Sequence, residues 1–151
     1  MRVSTRGRYA VRAVLDLAMN GGDSPVPLAE ISKRQNISLF YLEQLFNKMK
    51  RAGLVASKKG AGGGYALSRS AREITVGDII RCVEGPIMPV RCAEDGKREG
   101  CPRASQCPTS GLWKQLGDKI ENFLDSVTLK ELAEEAAACE KTTMTKDGTS
   151  K

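Results

Sequence analysis

The sequence contains no histidine among its 151 residues. This absence excludes Ser-His-Asp and Cys-His catalytic arrangements and the histidine-based zinc sites of metalloproteases. No apolar run approaches the roughly 20 residues that span a bilayer, and no cleavable apolar stretch follows the basic N-terminal residues. The GxxxxGK[ST] pattern of nucleotide-binding loops is also missing. We therefore expect a cytoplasmic protein that is not an enzyme, with neither a membrane partner nor a small-molecule substrate.

Positive charge is concentrated in the first half of the chain. Up to Arg72 there are 13 Lys and Arg residues against 4 Asp and Glu, whereas from Glu73 onward there are 11 against 14. A basic half joined to a slightly acidic half indicates a module that binds a polyanion, followed by a segment with a different task. A generic basic surface is the alternative interpretation of the charge alone.

Hydrophobic periodicity in the first 84 residues predicts three helices, a hairpin and a fourth helix. This order is typical of a winged helix-turn-helix domain. The fold class we expect is therefore mostly α with a small β-hairpin wing, followed by a long dimerisation helix. The predicted helices span residues 5–20, 28–35, 38–52 and 75–84, and the predicted strands span residues 54–57 and 65–68.

The third predicted helix is the candidate recognition helix. Its apolar side chains recur at helical spacing and are predicted to face the core; they are Leu39, Leu42, Leu45, Phe46 and Met49. Polar side chains on the other side can hydrogen-bond base edges in the major groove, while cations neutralise phosphates. The glycine-rich loop that joins the two predicted strands, residues 58–64, permits close approach to a groove, although it also fits a flexible hairpin tip. The candidate DNA-binding residues are Arg2, Ser38, Phe40, Tyr41, Glu43, Gln44, Lys58, Lys59 and Gly60.

Residues 85–109 show no periodicity, and a loop of this length normally has a function or an organising ligand.

Residues 110–126 then predict a long amphipathic helix, and Thr128 with Glu131 predict a capping box that opens a short helix ending near Cys139. The apolar stripe of the long helix favours pairing with a second chain over packing on its own domain. We divide the chain into a DNA-binding domain (1–84), a cysteine loop (85–109), a dimerisation region (110–140) and a disordered tail (141–151).

Three of the five cysteines lie in the 85–109 loop. Cys92, Cys101 and Cys107 place three thiols on one loop, and thiolates are the preferred ligands of iron–sulfur clusters. The spacing lacks the paired CxxC of many tetrahedral zinc sites, which weakens structural zinc without excluding it. The residues alone leave three interpretations open: an iron–sulfur cluster, structural zinc and a thiol-based redox switch.

Motifs over nearly the whole chain resemble the iron–sulfur cluster regulators of the IscR type. The resemblance implies a bacterial homodimer that binds a double-stranded DNA operator and controls iron–sulfur assembly genes. It also implies a cluster on the three loop cysteines, which we expect to be 2Fe–2S, and antiparallel pairing of the 110–126 helices. The motifs are Met1-Arg2, Gly7 to Val11, Val26 to Ala29, Ile37-Ser38, Tyr41 to Leu45, Gly53 to Val55, Gly60 to Tyr65, Leu112-Trp113, Thr128-Leu129 and the three cysteines.

The chain departs from this pattern at the fourth ligand. Relatives place a histidine three residues after the third cysteine, where this chain has Ser110, and the gap between the first two cysteines is longer here. We expect Glu43 of the partner subunit to complete the site, because the loop of one subunit can reach the other's recognition helix in a dimer. The alternative is that Glu43 contacts only DNA or solvent. The other candidates are Cys82, Glu94, Asp95, Glu99, Thr109, Ser110 and Cys139.

Overall fold

A computed structural model describes residues 3–93 and 101–146 of the chain. Within these ranges it shows six α-helices, a one-turn 3₁₀ helix and a two-stranded antiparallel hairpin. The predicted fold class, mostly α with a β-hairpin wing, is confirmed. The elements are α1 (Thr5–Asn20), α2 (Leu28–Gln35), α3 (Leu39–Arg51), β1 (Val55–Lys58), β2 (Gly64–Leu67), α4 (Val76–Glu84), the 3₁₀ helix (Arg91–Ala93), α5 (Ser110–Ser126) and α6 (Leu129–Lys146).

Local capping interactions set where several helices begin. The Ser38 hydroxyl accepts a hydrogen bond from the backbone N–H of Tyr41 at 3.1 Å, which confirms Ser38 as the N-cap of α3. Thr128 and Glu131 form the predicted capping box, with the Glu131 carboxylate accepting from the Thr128 N–H at 2.8 Å and the Thr128 hydroxyl accepting from the Glu131 N–H at 3.2 Å. These bonds satisfy backbone donors that the helices leave unpaired.

The core lies between the helices of the first 84 residues and the hairpin. Phe46, Leu42 and Met49 of α3 are fully buried there together with Leu17 of α1 and Ile31 of α2. The other large, fully buried side chains are Val14, Val55, Ile74, Ile79 and Leu129. Since Leu129 opens α6, the C-terminal region is anchored in this core.

Helix α5 is held against α4 by an ion-pair cluster. The Arg81 guanidinium lies 2.6 Å from a carboxylate oxygen of Asp125 and 2.9 Å from one of Glu121. These contacts, first of all the hydrogen bond to Asp125, raise the pKa of Arg81 above its ordinary value. Gly117 of α5 packs against Met88 and Pro89, where an added Cβ would meet both side chains within about 3.1 Å. The segment after α4 therefore fits closely over α5.

Two predictions about local structure were wrong. Helix α6 does not end near Cys139 but continues to Lys146, so that residues 141–146 of the predicted disordered tail are helical. The hydroxyl of Thr143 donates to the backbone carbonyl of Cys139 at 3.0 Å within this extension, and no Gly or Pro interrupts it. Leu39, predicted to face the core, is 42% exposed because it lies in the first turn of α3, beyond the core's edge. Residues 147–151 lie outside the described residues.

None of the described helices is long and apolar enough to cross a membrane.

Candidate functional site

The outward side of α3 presents most of the predicted base-reading residues to solvent. Ser38, Glu43 and Gln44 are exposed, and the Phe40 side chain is 71% exposed. An aromatic side chain this exposed gains little from its own fold, so it is available to a partner. In the major groove, a phenyl ring of this kind can contact a thymine methyl group.

Tyr41 occupies a different position from the other predicted contacts. It is half-buried, and its ring packs edge-on against the ring of Tyr9 with the two centroids 5.9 Å apart. The guanidinium carbon of Arg12 lies 5.5 Å from the Tyr9 centroid, a distance at which a cation is attracted to the ring face. Tyr41 thus connects the first turn of α3 to α1, and only part of its side chain is available to DNA.

The wing is fixed to the helices at its base and open at its tip. Tyr65 of β2 exchanges two backbone hydrogen bonds with Val26 at 2.8 and 2.9 Å. The centroid of the Tyr65 ring lies 5.0 Å from that of the Phe46 ring. Strands β1 and β2 pair from Val55 with Leu67 to Lys58 with Gly64. These contacts orient the hairpin relative to α3.

The tip itself carries the predicted wing contacts. Lys58, Lys59 and Gly60 are exposed, and Gly60 has a φ of 95°, in the region that favours glycine. The two ammonium groups therefore lie where a phosphate backbone can approach. The predicted contact Arg2 lies outside the described residues.

A buried carboxylate holds α2 against α1. Asp16 is 3% exposed, and it accepts hydrogen bonds from Arg34 Nη2 at 2.7 Å and from Gln35 Nε2 at 2.8 Å. Asn36 follows in the left-handed conformation, with a φ of 52°, and makes the turn into α3. The Asp16 contacts therefore fix α2 against α1 next to the turn into α3, a role that the sequence alone did not predict. The signal was an acidic residue inside an apolar helix pattern.

The three loop cysteines differ in exposure and chemistry. Cys92 is half-buried in the 3₁₀ helix, Cys101 is exposed, and Cys107 is half-buried just before α5. Thr109 Oγ1 lies 3.4 Å from the sulfur of Cys107. This hydrogen bond, backbone contacts at the start of α5 and the charge of Arg103 lower the pKa of the Cys107 thiol. A lower pKa favours the thiolate, the form that binds metals.

The described part of the chain does not bring a complete ligand set together within one subunit. Among residues 3–93 and 101–146, no three Cys, Asp or Glu side chains are grouped closely enough to hold a metal ion. Glu43 lies on the exposed side of α3, whereas Cys92 and Cys107 belong to the region between α4 and α5. Burial raises the pKa of the Cys82 thiol, which disfavours its thiolate. The candidate ligands Glu94, Asp95 and Glu99 lie outside the described residues.

An apolar groove lies beside the segment that connects α4 to α5. It encloses about 520 Å³ between α1, α4, the segment that follows α4, and α5. Its lining includes Val11, Ile80, Met88 and Leu124. Two apolar side chains of α5, Leu112 and Phe123, are 57% and 65% exposed. Such surfaces on one helix and its surroundings are typical of protein interfaces.

Comparison with known proteins identifies the family of this chain. The family model for Rrf2, described as an iron-dependent transcriptional regulator, matches residues 3–135. The chain belongs to the Rrf2 family. The IscR transcriptional regulator of Pectobacterium carotovorum is 51% identical over 132 residues, which cover 87% of this chain and 79% of that protein. The IscR of Cronobacter sakazakii is 48% identical, with coverage of 87% and 80%.

Solved structures of Rrf2 relatives show the same architecture. The structure of T. potens IscR is 40% identical, with a TM-score of 0.73 and coverage of 90% of this chain and 88% of that one. The global cysteine regulator CymR of B. subtilis is 41% identical, with a TM-score of 0.72 and coverage of 89% and 98%. The protein is thus a DNA-binding transcriptional regulator of the IscR type, and these relatives are regulators, not enzymes. This confirms the predicted resemblance and the expectation that the chain is not an enzyme.

Proposed function

We propose that this protein is a cytoplasmic, homodimeric regulator that senses iron–sulfur cluster status and controls cluster assembly genes. The observation that carries the proposal is the set of three free thiols at Cys92, Cys101 and Cys107, in a chain whose family is iron-dependent. A 2Fe–2S cluster is the cofactor that we assign to them. Thiolates suit such a cluster, and the lowered pKa of Cys107 supplies one readily.

DNA recognition is assigned to α3 and the wing. We assign base-edge hydrogen bonds to Ser38 and Gln44, and Glu43 can accept from the amino group of cytosine. Phe40 adds an apolar contact, and Tyr41 contributes the exposed part of its ring. Arg2, Lys58 and Lys59 neutralise phosphates, and the backbone of Gly60 approaches the DNA closely.

The dimer interface is assigned to the apolar groove and to the exposed side of α5, where a second copy of the chain would bind. Antiparallel pairing of two α5 helices covers Leu112 and Phe123, which the single chain leaves exposed. Dimerisation also gives two recognition helices, and such a dimer binds two half-sites separated by whole turns of the DNA. The operator is therefore expected to be a pseudo-palindrome.

The fourth ligand is assigned to Glu43 of the partner subunit. The described part of one chain groups no sufficient set of ligands, and Glu43 is exposed on α3, where a second subunit can reach its carboxylate. When bound, the cluster supplies a signal that depends on iron supply and oxidation. Ligation would withdraw a carboxylate from the DNA-facing side of α3, and loss of the cluster would return a negative charge close to the phosphates. The sequences bound by the two forms would then differ.

A substitution of Glu43 tests the ligand assignment separately from DNA binding. Glu43→Gln keeps the size of the side chain but removes the carboxylate, and it should change the visible spectrum and speed the loss of the cluster. Gln44→Glu, one residue further on α3, is the matched control for a change of charge at the DNA surface. An unchanged spectrum and a full cluster in Glu43→Gln would leave Glu43 with a role in DNA contact alone.

The second candidate function is a winged-helix repressor with a thiol-redox switch or structural zinc at the same cysteines. The lowered pKa of Cys107 favours reactivity toward oxidants as well as metal binding. Zinc and iron contents distinguish these functions, and reversible oxidation without bound metal would identify the redox switch.

A further inference from the structure

We propose that Arg12 is a positioning residue that couples the apolar groove to the helix-turn-helix, so that the state of the groove alters DNA binding. The proposal rests on the function proposed above, because it supplies the physical connection between the dimer and cluster region and the recognition helix. Arg12 is exposed and belongs to α1. Its contacts reach both helices of the DNA-binding unit.

The first contact is with the end of α2. Arg12 Nη2 donates to the backbone carbonyl of Gln35 at 2.6 Å, and Nε donates to the Gln35 side-chain oxygen at 3.3 Å. Gln35 is the last residue of α2, and the left-handed Asn36 follows it. The guanidinium therefore lies at the negative end of the α2 dipole, where a cation is stabilising. It holds the peptide from which the turn into α3 begins.

The second contact is with the start of α3. The Arg12 guanidinium lies over the ring of Tyr9, and the Tyr9 ring packs against Tyr41 in the first turn of α3. One side chain thus touches the end of α2 directly and the beginning of α3 through a single ring. A movement of Arg12 would change the support of both helices together.

The third contact is with the groove. Arg12 lines it together with Ile80 of α4, Leu124 of α5, and Pro86 and Met88 of the segment that leads to Cys92. Apolar side chains of a second copy in this groove would exclude water from Arg12. Its charge-assisted hydrogen bonds to Gln35 and its attraction to Tyr9 both strengthen when the local dielectric falls. A shift of the Pro86–Met88 segment on loss of the cluster would return water and weaken them.

Arg8 provides a matched control. It is an exposed arginine one turn away on α1, and it lines the same groove. Its guanidinium bonds to the Thr5 hydroxyl at 3.5 Å, within its own helix. Replacing Arg8 therefore changes the charge of the groove as much as replacing Arg12, but it leaves the contacts with Gln35 and Tyr9 in place.

The experiment compares the DNA affinities of the cluster-loaded and cluster-free forms of the full-length protein. The probe is a duplex that the cluster-loaded wild type selects from a randomised pool, with sequences that the cluster-free form also selects removed, and the variants are Arg12→Gln, Arg12→Lys and Arg8→Gln. Iron and sulfide contents, the visible spectrum and the melting temperature are measured on every sample. We expect a wild-type affinity ratio within the roughly 5- to 150-fold range of allosteric couplings.

Arg12→Gln should bring that ratio to within about twofold of one, with unchanged iron, sulfide and spectrum. Arg12→Lys should recover part of the ratio, since its ammonium can bond to the Gln35 carbonyl and lie over Tyr9, and Arg8→Gln should keep the wild-type ratio. If Arg12→Gln fails to fold, Tyr9→Leu replaces it and should also lower the ratio.

The inference is overturned if Arg12→Gln, or Tyr9→Leu in its place, keeps the wild-type ratio. If Arg12→Gln weakens the DNA affinity of the cluster-loaded and cluster-free forms by the same factor, the inference is also overturned, because Arg12 would then be an ordinary phosphate contact. Neither result would contradict the proposed function. A wild type that binds DNA equally with and without a cluster would refute the cluster-sensing function, and the coupling role of Arg12 with it.

Discussion

Removing the buried carboxylate of Asp16 should destabilise the fold measurably. Asp16 is 3% exposed and accepts three hydrogen bonds from Arg34, the shortest 2.7 Å, and one from Gln35 at 2.8 Å. Breaking a fully buried ion pair costs about 3–5 kcal/mol. The Arg34 side chain is 36% exposed, so its guanidinium regains water when the carboxylate is lost. We therefore expect Asp16→Ala to lower the free energy of unfolding by about 2–3 kcal/mol.

Denaturation of the cluster-free protein by urea and by heat measures this loss. In a chain of this size each kcal/mol shifts the melting temperature by roughly 2–4 °C, so the expected fall is about 4–12 °C. Glu30→Gln is the control, because Glu30 is 58% exposed and pairs with the same Arg34 at 3.4 Å on the surface of α2. Its loss should be near 0.5 kcal/mol. A loss below about 1 kcal/mol for Asp16→Ala, or one equal to that of Glu30→Gln, would refute the reasoning.

Three further predictions concern DNA binding and assembly. Phe40→Ala should weaken DNA binding by roughly 1–2 kcal/mol, or about 5- to 30-fold, at an unchanged melting temperature; unchanged affinity would remove Phe40 from the interface. Replacing Lys58 and Lys59 together by Gln removes four lysines from the proposed dimer and should reduce the slope of log affinity against log salt by about 3.6, and an unaltered slope would show that the wing does not contact phosphates. Leu112→Glu with Phe123→Glu should convert a dimer into monomers in sedimentation experiments at micromolar concentration. A dimer that persists would place the interface elsewhere.

The sequence predicted α1, α2 and α5 well because their limits depend on local signals. Apolar spacing, the Gly21-Gly22 pair after α1 and the capping box after α5 act within a few residues. The end of α6 was missed because a composition rich in Lys and Thr suggests a disordered tail. Helix continuation there depends on the absence of Gly and Pro and on hydroxyl bonds such as that of Thr143 to the Cys139 carbonyl.

The candidate site was predictable as a set of residue types but not as an arrangement. Cys92, Cys101 and Cys107 stand out by their spacing in one loop. The ion pair that fixes α5 joins Arg81 to Asp125, 44 residues further along the chain. Such pairs depend on tertiary packing and leave no periodic trace in the sequence. The contacts of Arg12 with the end of α2 were hidden for the same reason.

The most direct test of the cluster assignment is the visible spectrum of anaerobically purified protein, with iron, acid-labile sulfide and zinc quantified on the same sample. The account predicts a coloured protein with about two irons and two sulfides per chain, as a 2Fe–2S cluster requires, and loss of that colour in Cys92→Ala. A colourless protein without iron or sulfide after reconstitution would contradict it. Bound zinc in such a sample would then indicate a structural metal site, and its absence would indicate a thiol switch.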